Sequence, residues 1–398
     1  MSKKTEVLKY YDYVVIGSGI AGINASESIR KQDASGKILL INGEDRLPYK
    51  RTSISKRLSA GFQKEELALK PVEWYEQMTI ELVNGTVSQV LLETKELILG
   101  NEKIQWNKLI MCTGSKPVEI YPILPPWAGL HYFRNAADVD FIRSQNKGNE
   151  HIVIIGGGVQ GIELTEQMLS LGNKVSLIHH AKMLMNRHFD DFMADHLGQL
   201  LKEKGVEVFL ETQAIAMQKI ENKCFEIILD RGEPLRYDKI IVSIGTMPDI
   251  HLASEAGLKT NKGILVDQFL KTSHPDVYAA GDVAEHSGGL VSGLWHAAEK
   301  QGMIAGANAT GKQFEFEKTN FRLKLNAFNQ YYFSMNPQID NPEFEDVICQ
   351  KDDKYYRLFF AEERLCGALM MNDKDKAKLL ETAIRESVER VEIMRVFP

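Results

Sequence analysis

At 398 residues, with 44% hydrophobic and 26% charged content and a net charge of −6, the chain is expected to fold as two or three soluble globular domains, and no basic cluster with interleaved aromatics suggests nucleic acid. Its four cysteines (Cys112, Cys224, Cys349, Cys366) stand singly without a C-x-x-C pair, which points to a reducing cytoplasm and away from a disulfide framework, a zinc site or an iron–sulfur cluster. The opening MSKKTEVLKYYD has no apolar core of signal-peptide length, and no later run approaches a membrane span.

The chain is organised around Tyr11–Arg30, YDYVVIGSGIAGINASESIR, where an apolar run ends in a G-x-G-x-x-G turn and helix-compatible sequence follows. A strand, such a turn and a helix form the phosphate-binding start of a dinucleotide fold. Gly17 permits the tight turn, Gly19 lets the backbone approach a pyrophosphate, and Gly22 lets helix and strand pack closely. The helix N-terminus offers free N–H groups to the phosphates. Lys37–Asn42 reads as the second parallel strand, and Glu44 fits the acid that accepts ribose hydroxyls about 20 residues past the last glycine.

Pro48–Lys50 reads as a turn, and Thr52 or Ser53 is placed to cap a short helix ending near Gly61, with Lys56 on it. Glu66–Leu69, Ile80–Val83 and Leu91–Leu99 are strand-like runs with a hairpin among them, and Lys108–Cys112 is a further buried strand. The Pro-rich YPILPPWAG at 121–129 reads as a connection between domains.

His151–Ile155 then runs into Gly156, Gly157, Gly158, Val159, Gln160 and Gly161, with a helix over Ile162–Leu171: a second unit of the same kind. Its further elements are a strand at Lys174–His180, an amphipathic helix at Phe189–Lys204, and strands at Glu207–Leu210, Phe225–Leu229 and Lys239–Ser243. Past Gly245 the chain returns to the first domain, with a strand at Val277–Ala280 entering Gly281–Asp282 and a helix of small residues at Trp295–Ala309. From about Phe321 alternating hairpins and a final charged helix over Asp375–Arg390 indicate a separate small α+β unit.

Five ordered motifs resemble the two-dinucleotide-binding-domain flavoproteins, the pyridine nucleotide–disulfide oxidoreductase superfamily: GSGIAG at 17–22, CTGSKP at 112–117, GGGVQGIE at 156–163, SIGTMPD at 243–249 and TSHPDVYAAGDVAE at 272–285. LPYKRTSISK and the stretch from Gly281 to Gly311 are similar to the rubredoxin- and nitrite-reductase-like branch. The resemblance implies an α/β fold of two Rossmann-like domains, the second inserted in the first, plus a small α+β C-terminal domain. The expected divisions are 1–120 and 245–318 for FAD, 121–244 for NAD(P)H, and 319–398 for the C-terminal unit. Relatives that reduce disulfides carry a cysteine pair where this chain has Thr52, Ser53 and Ser55, so dithiol chemistry is excluded there.

Carried over residue by residue, the resemblance implies that Gly17, Gly19 and Gly22 cradle the FAD pyrophosphate, Glu44 the adenosine ribose and the Val87 backbone the adenine. Asp282, read as a buried acid, anchors the ribityl chain, and Trp295 opens a helix aimed at the flavin pyrimidine edge. Arg51, Thr113, Gly114, Gly245 and Gly281 complete the implied contacts. Lys56 and Glu163 form a pair beside the hydride-accepting nitrogen, positioning the nicotinamide and tuning the flavin. Gly156, Gly158 and Gly161 hold the second pyrophosphate.

No carboxylate stands at the end of the strand Lys174–His180, where an acid selects NAD. His179, His180 and Lys182, with Arg187 beyond, favour NADPH through its 2′-phosphate; NADH held by backbone and pyrophosphate is the alternative. The expected function is an FAD-dependent NAD(P)H oxidoreductase passing electrons to a small redox protein such as rubredoxin or ferredoxin, in the cytoplasm, without a metal. The alternatives are an oxidase or tailoring enzyme, and a flavoprotein that acts mainly as a binding or regulatory partner. The acceptor and the oligomeric state stay open.

Overall fold

The computed structural model describes residues 9–63, 65–120, 129–221 and 224–397, so 121–128 of the expected Pro-rich connection fall outside it. It divides into two compact units, one of Met1–Ser53, Phe62–Lys116 and Thr246–Thr319, the other of Ile54–Gly61, Pro117–Gly245 and Asn320–Pro398.

In the first unit, the runs Lys9–Ile16 and Ile38–Asn42 are parallel neighbours, with Val15 opposite both Leu40 and Ile110. Val14, Val15, Leu40 and Ile110 are wholly buried, as strands covered on both faces require. Ile80–Asn84 extends one side of the sheet. On the other side the long strand Glu102–Met111 divides its length: Glu102–Gln105 pairs with Glu96–Leu99, and Leu109–Met111 pairs in parallel with the returning strand Val277–Ala279. The helices Ile20–Gln32 and Trp295–Ala309 cross closely, because a Cβ on Gly302 or Gly306 would lie 2.1 Å from the Ala21 carbonyl oxygen or 2.3 Å from that of Ala25. Small residues in the second helix are therefore a packing requirement.

Asp276 anchors the returning strand. Its carboxylate accepts hydrogen bonds from Lys108 and from Lys95, the latter at 2.6 Å. Burial works against its ionisation, but the two lysines prevail and hold its pKa down at about 2. Such a group stabilises the fold above its unfolded pKa of ~3.9, and the contribution disappears as pH falls through the folded value. Asp276→Asn should lower unfolding stability at neutral pH by about 1–2 kcal/mol, discounted for the half-exposed lysines. In denaturant titrations the gap from the parent should close between about pH 4 and 2.

The second unit has a parallel sheet in the order Glu207–Phe209, Lys174–Ile178, His151–Ile155, Lys239–Val242 and Leu130–Tyr132. An antiparallel group, Ala214–Glu221, Cys224–Leu229 and Leu235–Tyr237, accompanies it. Its C-terminal part is a five-stranded antiparallel sheet, in the order Arg322–Ala327, Gln330–Met335, Arg364–Met371, Lys354–Ala361 and Glu345–Lys351. Phe333, Leu358, Leu365 and Met370 of that sheet pack on Leu380 and Ile384 of the helix Ala377–Arg385 and on Ile393.

Several local expectations are corrected. Glu66–Leu69 is turn, with one isolated bridge from Tyr49 to Ala68. Leu91–Leu99 is not one strand: Lys95 at φ +52° closes a hairpin between Val87–Leu91 and Glu96–Leu99. The stretch after Thr52 forms two 3-10 turns, Arg51–Ser53 and Ser55–Arg57, instead of a capped helix. The final helix ends at Arg385, since Ser387 at φ +50° turns the chain before the short helix Arg390–Ile393. The short helix Val72–Gln77 was not expected, nor was Ala136–Gln145. The latter carries a legible cue in its Asn135–Asp138 capping box.

No helix among the described residues is long and apolar enough to cross a membrane.

Candidate functional site

Each unit holds one glycine turn, built the same way. In the first, Gly17 has φ +100°, and a Cβ there would stand 2.1 Å from the Cys112 carbonyl oxygen. A Cβ on Gly22 would stand 1.9 Å from the Gly17 oxygen, whereas nothing lies within 4 Å of one on Gly19. The outer glycines are thus fixed by packing, and the central one faces open space. Gly19 is also the N-cap of Ile20–Gln32, which has no side-chain cap and no acid in its first turn. Its leading N–H groups remain available to an anion, so the cradle fits a pyrophosphate.

The other first-unit residues gather around the ends of these strands. Glu44 accepts from Tyr49 Oη at 2.8 Å and from Arg51, whose guanidinium lies 5.0 Å from the Tyr49 ring centroid. The expected ribose acid and Arg51 are therefore partners of each other. Val87 is buried in its hairpin strand. Thr113 Oγ1 donates to the Asp249 carbonyl at 2.8 Å, and Gly114 takes φ +73°. Asp282 is half-buried rather than buried, and Ser115 Oγ donates to it at 2.9 Å. Gly281, at φ +86°, donates its N–H to Gln301 Oε1 at 2.7 Å. Trp295 begins its helix without a side-chain cap. Ser115 lies in the CTGSKP motif and Gln301 in the family-like stretch from Gly281 to Gly311, but neither was assigned a role, because the spacing of a motif does not show which residue its polar side chain meets across the fold.

In the second unit a Cβ on Gly156 (φ +121°) would lie 2.0 Å from the Ser243 oxygen, and one on Gly161 would lie 1.8 Å from the Gly156 oxygen. Gly158 again faces open space at the uncapped start of Val159–Ser170. Gly245, at φ +111°, accepts the Val118 N–H at 3.0 Å.

The same helix carries Glu163, 4% exposed. Ser55 Oγ donates to its carboxylate, and Lys56 Nζ lies 3.3 Å away. Burial raises the Glu163 pKa, and Lys56 and Ser55 oppose it. One turn further on, Gln167 Oε1 accepts from Ser59 Oγ at 2.7 Å, so residues 54–61 are fastened to this helix at two points. Lys56, Glu163, Glu166 and Tyr331 line a cavity of about 470 Å³.

His179 departs from the expected phosphate-facing loop. The strand Lys174–Ile178 stops before it, the ring is 6% exposed, and Nδ1 accepts the Gly157 N–H at 3.1 Å. Burial and the neighbouring His180 lower its pKa. A Cβ on Gly157 would lie 2.6 Å from Leu184 Cδ2 and 2.8 Å from the His179 ring, which explains the additional glycine of that turn. His180 and Lys182 are exposed, and Lys182 and Arg187 together line a second cavity of about 530 Å³.

Both turns, in order along one chain, match known proteins. A sequence profile of the pyridine nucleotide-disulphide oxidoreductases matches residues 11–302. The chain belongs to this family. A profile of the rubredoxin NAD+ reductase C-terminal domain matches residues 323–388. The assimilatory nitrate reductase electron transfer subunit of Bacillus subtilis is 28% identical over 95% of this chain and 50% of its own length. The ferredoxin–NAD(+) reductase component of 3-phenylpropionate/cinnamic acid dioxygenase from Photorhabdus laumondii is 32% identical over 74% of this chain and 76% of its own. The crystal structure of NADH:rubredoxin oxidoreductase from Clostridium acetobutylicum superposes with a TM-score of 0.76 at 24% identity, covering 96% of each chain. The chain spans about half the length of the first two curated relatives it matches.

Unlike the disulphide chemistry in the family's name, Arg51–Arg57 offers no cysteine. Cys112, Cys349 and Cys366 are free thiols, and burial pushes that of Cys112 up to about 12, so it is unreactive.

Proposed function

We propose that the protein is an FAD-dependent NAD(P)H oxidoreductase without a redox-active disulfide. The first unit would hold FAD, the inserted residues 121–244 would hold the nicotinamide dinucleotide, and electrons would leave to a small redox protein of the rubredoxin or ferredoxin kind. The observation that carries this reading is the repeated cradle: two glycine turns, each with packed outer glycines and an open central glycine at an uncapped helix start. Relatives named as ferredoxin reductase components and as rubredoxin-NAD(+) reductase support the acceptor class. We place the protein in the cytoplasm, in keeping with four cysteines that stand singly in the sequence without a C-x-x-C pair.

FAD supplies the redox chemistry when bound, taking hydride from the reduced nicotinamide and passing electrons on. The chain's own contribution is placement and charge. Gly19 and Gly158 present backbone N–H groups to the two pyrophosphates, and Asp282, held by Ser115, anchors a hydroxylated chain. Glu163 fixes the ammonium of Lys56, which supplies a cation against negative charge developing on reduction. Between coenzymes, Lys182 and Arg187 favour NADPH in a cavity that Asp190, Asp191 and Asp340 also line, and no carboxylate stands directly after the strand Lys174–Ile178, where NAD selection needs one. His179 contributes by bracing Gly157.

Anaerobic titration of the purified protein is the direct test. Its spectrum should show bound flavin, bleached at lower concentration by NADPH than by NADH. Lys56→Met should keep FAD and slow that bleaching roughly tenfold or more in stopped flow. A protein that neither carries nor takes up flavin would overturn the reading. Rapid oxygen uptake without a carrier would favour an oxidase instead.

A further inference from the structure

The segment that follows the strand Lys174–Ile178 is held at both ends. At its start His179 Nδ1 accepts from Gly157, and the Met185 N–H donates to the Gly157 carbonyl at 3.0 Å. At its end three aromatic pairs seat it on the C-terminal sheet and the residue that precedes it: His188 on Phe321 at 4.5 Å, Phe189 on Tyr332 at 5.1 Å and Phe192 on Tyr355 at 4.4 Å.

Between these pairs lies Asp190, 4% exposed. Its Oδ1 accepts the Met193 N–H at 3.1 Å and so caps the helix Asp191–Glu203. Its Oδ2 accepts from Tyr355 Oη at 2.5 Å and from Arg357 Nη1 at 3.4 Å. Arg357 is itself oriented by Asp346, at 2.7 Å from Nε. Capping needs one side-chain oxygen, and asparagine serves it as well as aspartate does. The second oxygen and the charge are thus superfluous to the helix, yet they are the part that Tyr355 and Arg357 engage. Burial of a carboxylate makes the arrangement rigid, because withdrawing it from these partners would strand a charge.

Lys182 and Arg187 of the segment and Tyr355 and Arg357 of the sheet line one cavity. Holding still the backbone that bears long exposed cations strengthens their recognition of a phosphate, because less ordering is left to do on binding. We propose that Tyr355 and Arg357, acting through Asp190, are positioning residues for the segment that selects the nicotinamide dinucleotide, so that the C-terminal domain shares in coenzyme recognition. This rests on the coenzyme reading given above.

The test is calorimetric titration of NADP+ and of NAD+ into the flavin-loaded protein, comparing the parent with Tyr355→Phe and Asp190→Asn. Asp190→Asn retains the helix cap, which guards against simple unfolding. Both variants should keep the parental flavin content and bind NADP+ roughly 3- to 30-fold more weakly. The NADP+ to NAD+ preference should shrink, a change that general loss of stability would not produce. The double variant should be no weaker than the weaker single one, since both remove the same link. Parental affinities and preference in both variants would overturn the proposal while leaving the coenzyme reading intact. A parent protein that retains flavin and binds neither nucleotide would overturn the coenzyme reading itself.

Discussion

Gly161→Val should yield a yellow protein that neither NADPH nor NADH reduces. A Cβ at Gly161 would lie 1.8 Å from the Gly156 carbonyl oxygen, far inside contact distance, and the obstacle is backbone that no rotamer change can move. Relief requires the helix Val159–Ser170 to withdraw from the turn. Its N-terminus, with the open Gly158, then no longer sits against the strand His151–Ile155. The same withdrawal pulls Glu163 from Ser55 and Lys56, so coenzyme placement and the fixed cation are lost together. The rate of flavin reduction by either nucleotide should fall roughly a hundredfold or more, as misplacement by an ångström can cost about that in rate, and nucleotide binding should weaken with it. Flavin should stay, because its proposed residues belong to the other unit. Flavin absorbance after gel filtration, with a nucleotide titration on the same sample, checks both halves. Nucleotide binding within a few fold of the parent would show that this turn is not the coenzyme cradle.

Asp282→Ala should produce the complementary defect, a folded protein that loses FAD on dialysis. Asp282 is held ready by its surroundings: Ser115 Oγ donates to it, and Gly281 before it is fixed at φ +86° by the bond from its N–H to Gln301. A carboxylate has about four lone-pair sites, so one that accepts from Ser115 is of the kind that can also accept from a ribityl hydroxyl. Removing a charge-assisted hydrogen bond of that kind costs about 1.5–3 kcal/mol, or roughly 10- to 150-fold in flavin affinity. Asp282→Asn, which can still accept from Ser115, should lose less. Full flavin occupancy of the alanine variant after dialysis, with an unchanged unfolding midpoint, would remove Asp282 from the flavin site.

The family's fold was legible because its signals are local. A strand, a turn that only glycine can take and a helix are consecutive in the chain. The carbonyl oxygens that crowd Gly22 and Gly161 lie five residues upstream, at Gly17 and Gly156. Strands buried on both faces read as unbroken apolar runs, and His151–Ile155 and Trp295–Ala309 fall where the sequence places them. Weaker signals misled where few residues decide: a six-residue helix at Val72–Gln77 has too little periodicity to see, and a single left-handed Lys95 turns one apparent strand into two.

The site divides along the same line. Lys56 and Glu163 were named from sequence, but Ser55, which completes the buried carboxylate's hydrogen bonding, meets it only when residues 54–61 pack on the helix Val159–Ser170. His179 reads as a basic loop residue, and only the tertiary structure turns it inward to accept from Gly157. Asp190 falls inside the helix expected over Phe189–Lys204, whereas the structure makes it the cap of Asp191–Glu203; that its other oxygen meets Tyr355 and Arg357 is a contact across 165 and 167 residues. Backbone conformation follows from neighbours in sequence. Which partner satisfies a buried polar atom follows from neighbours in space, and no spacing along the chain encodes them.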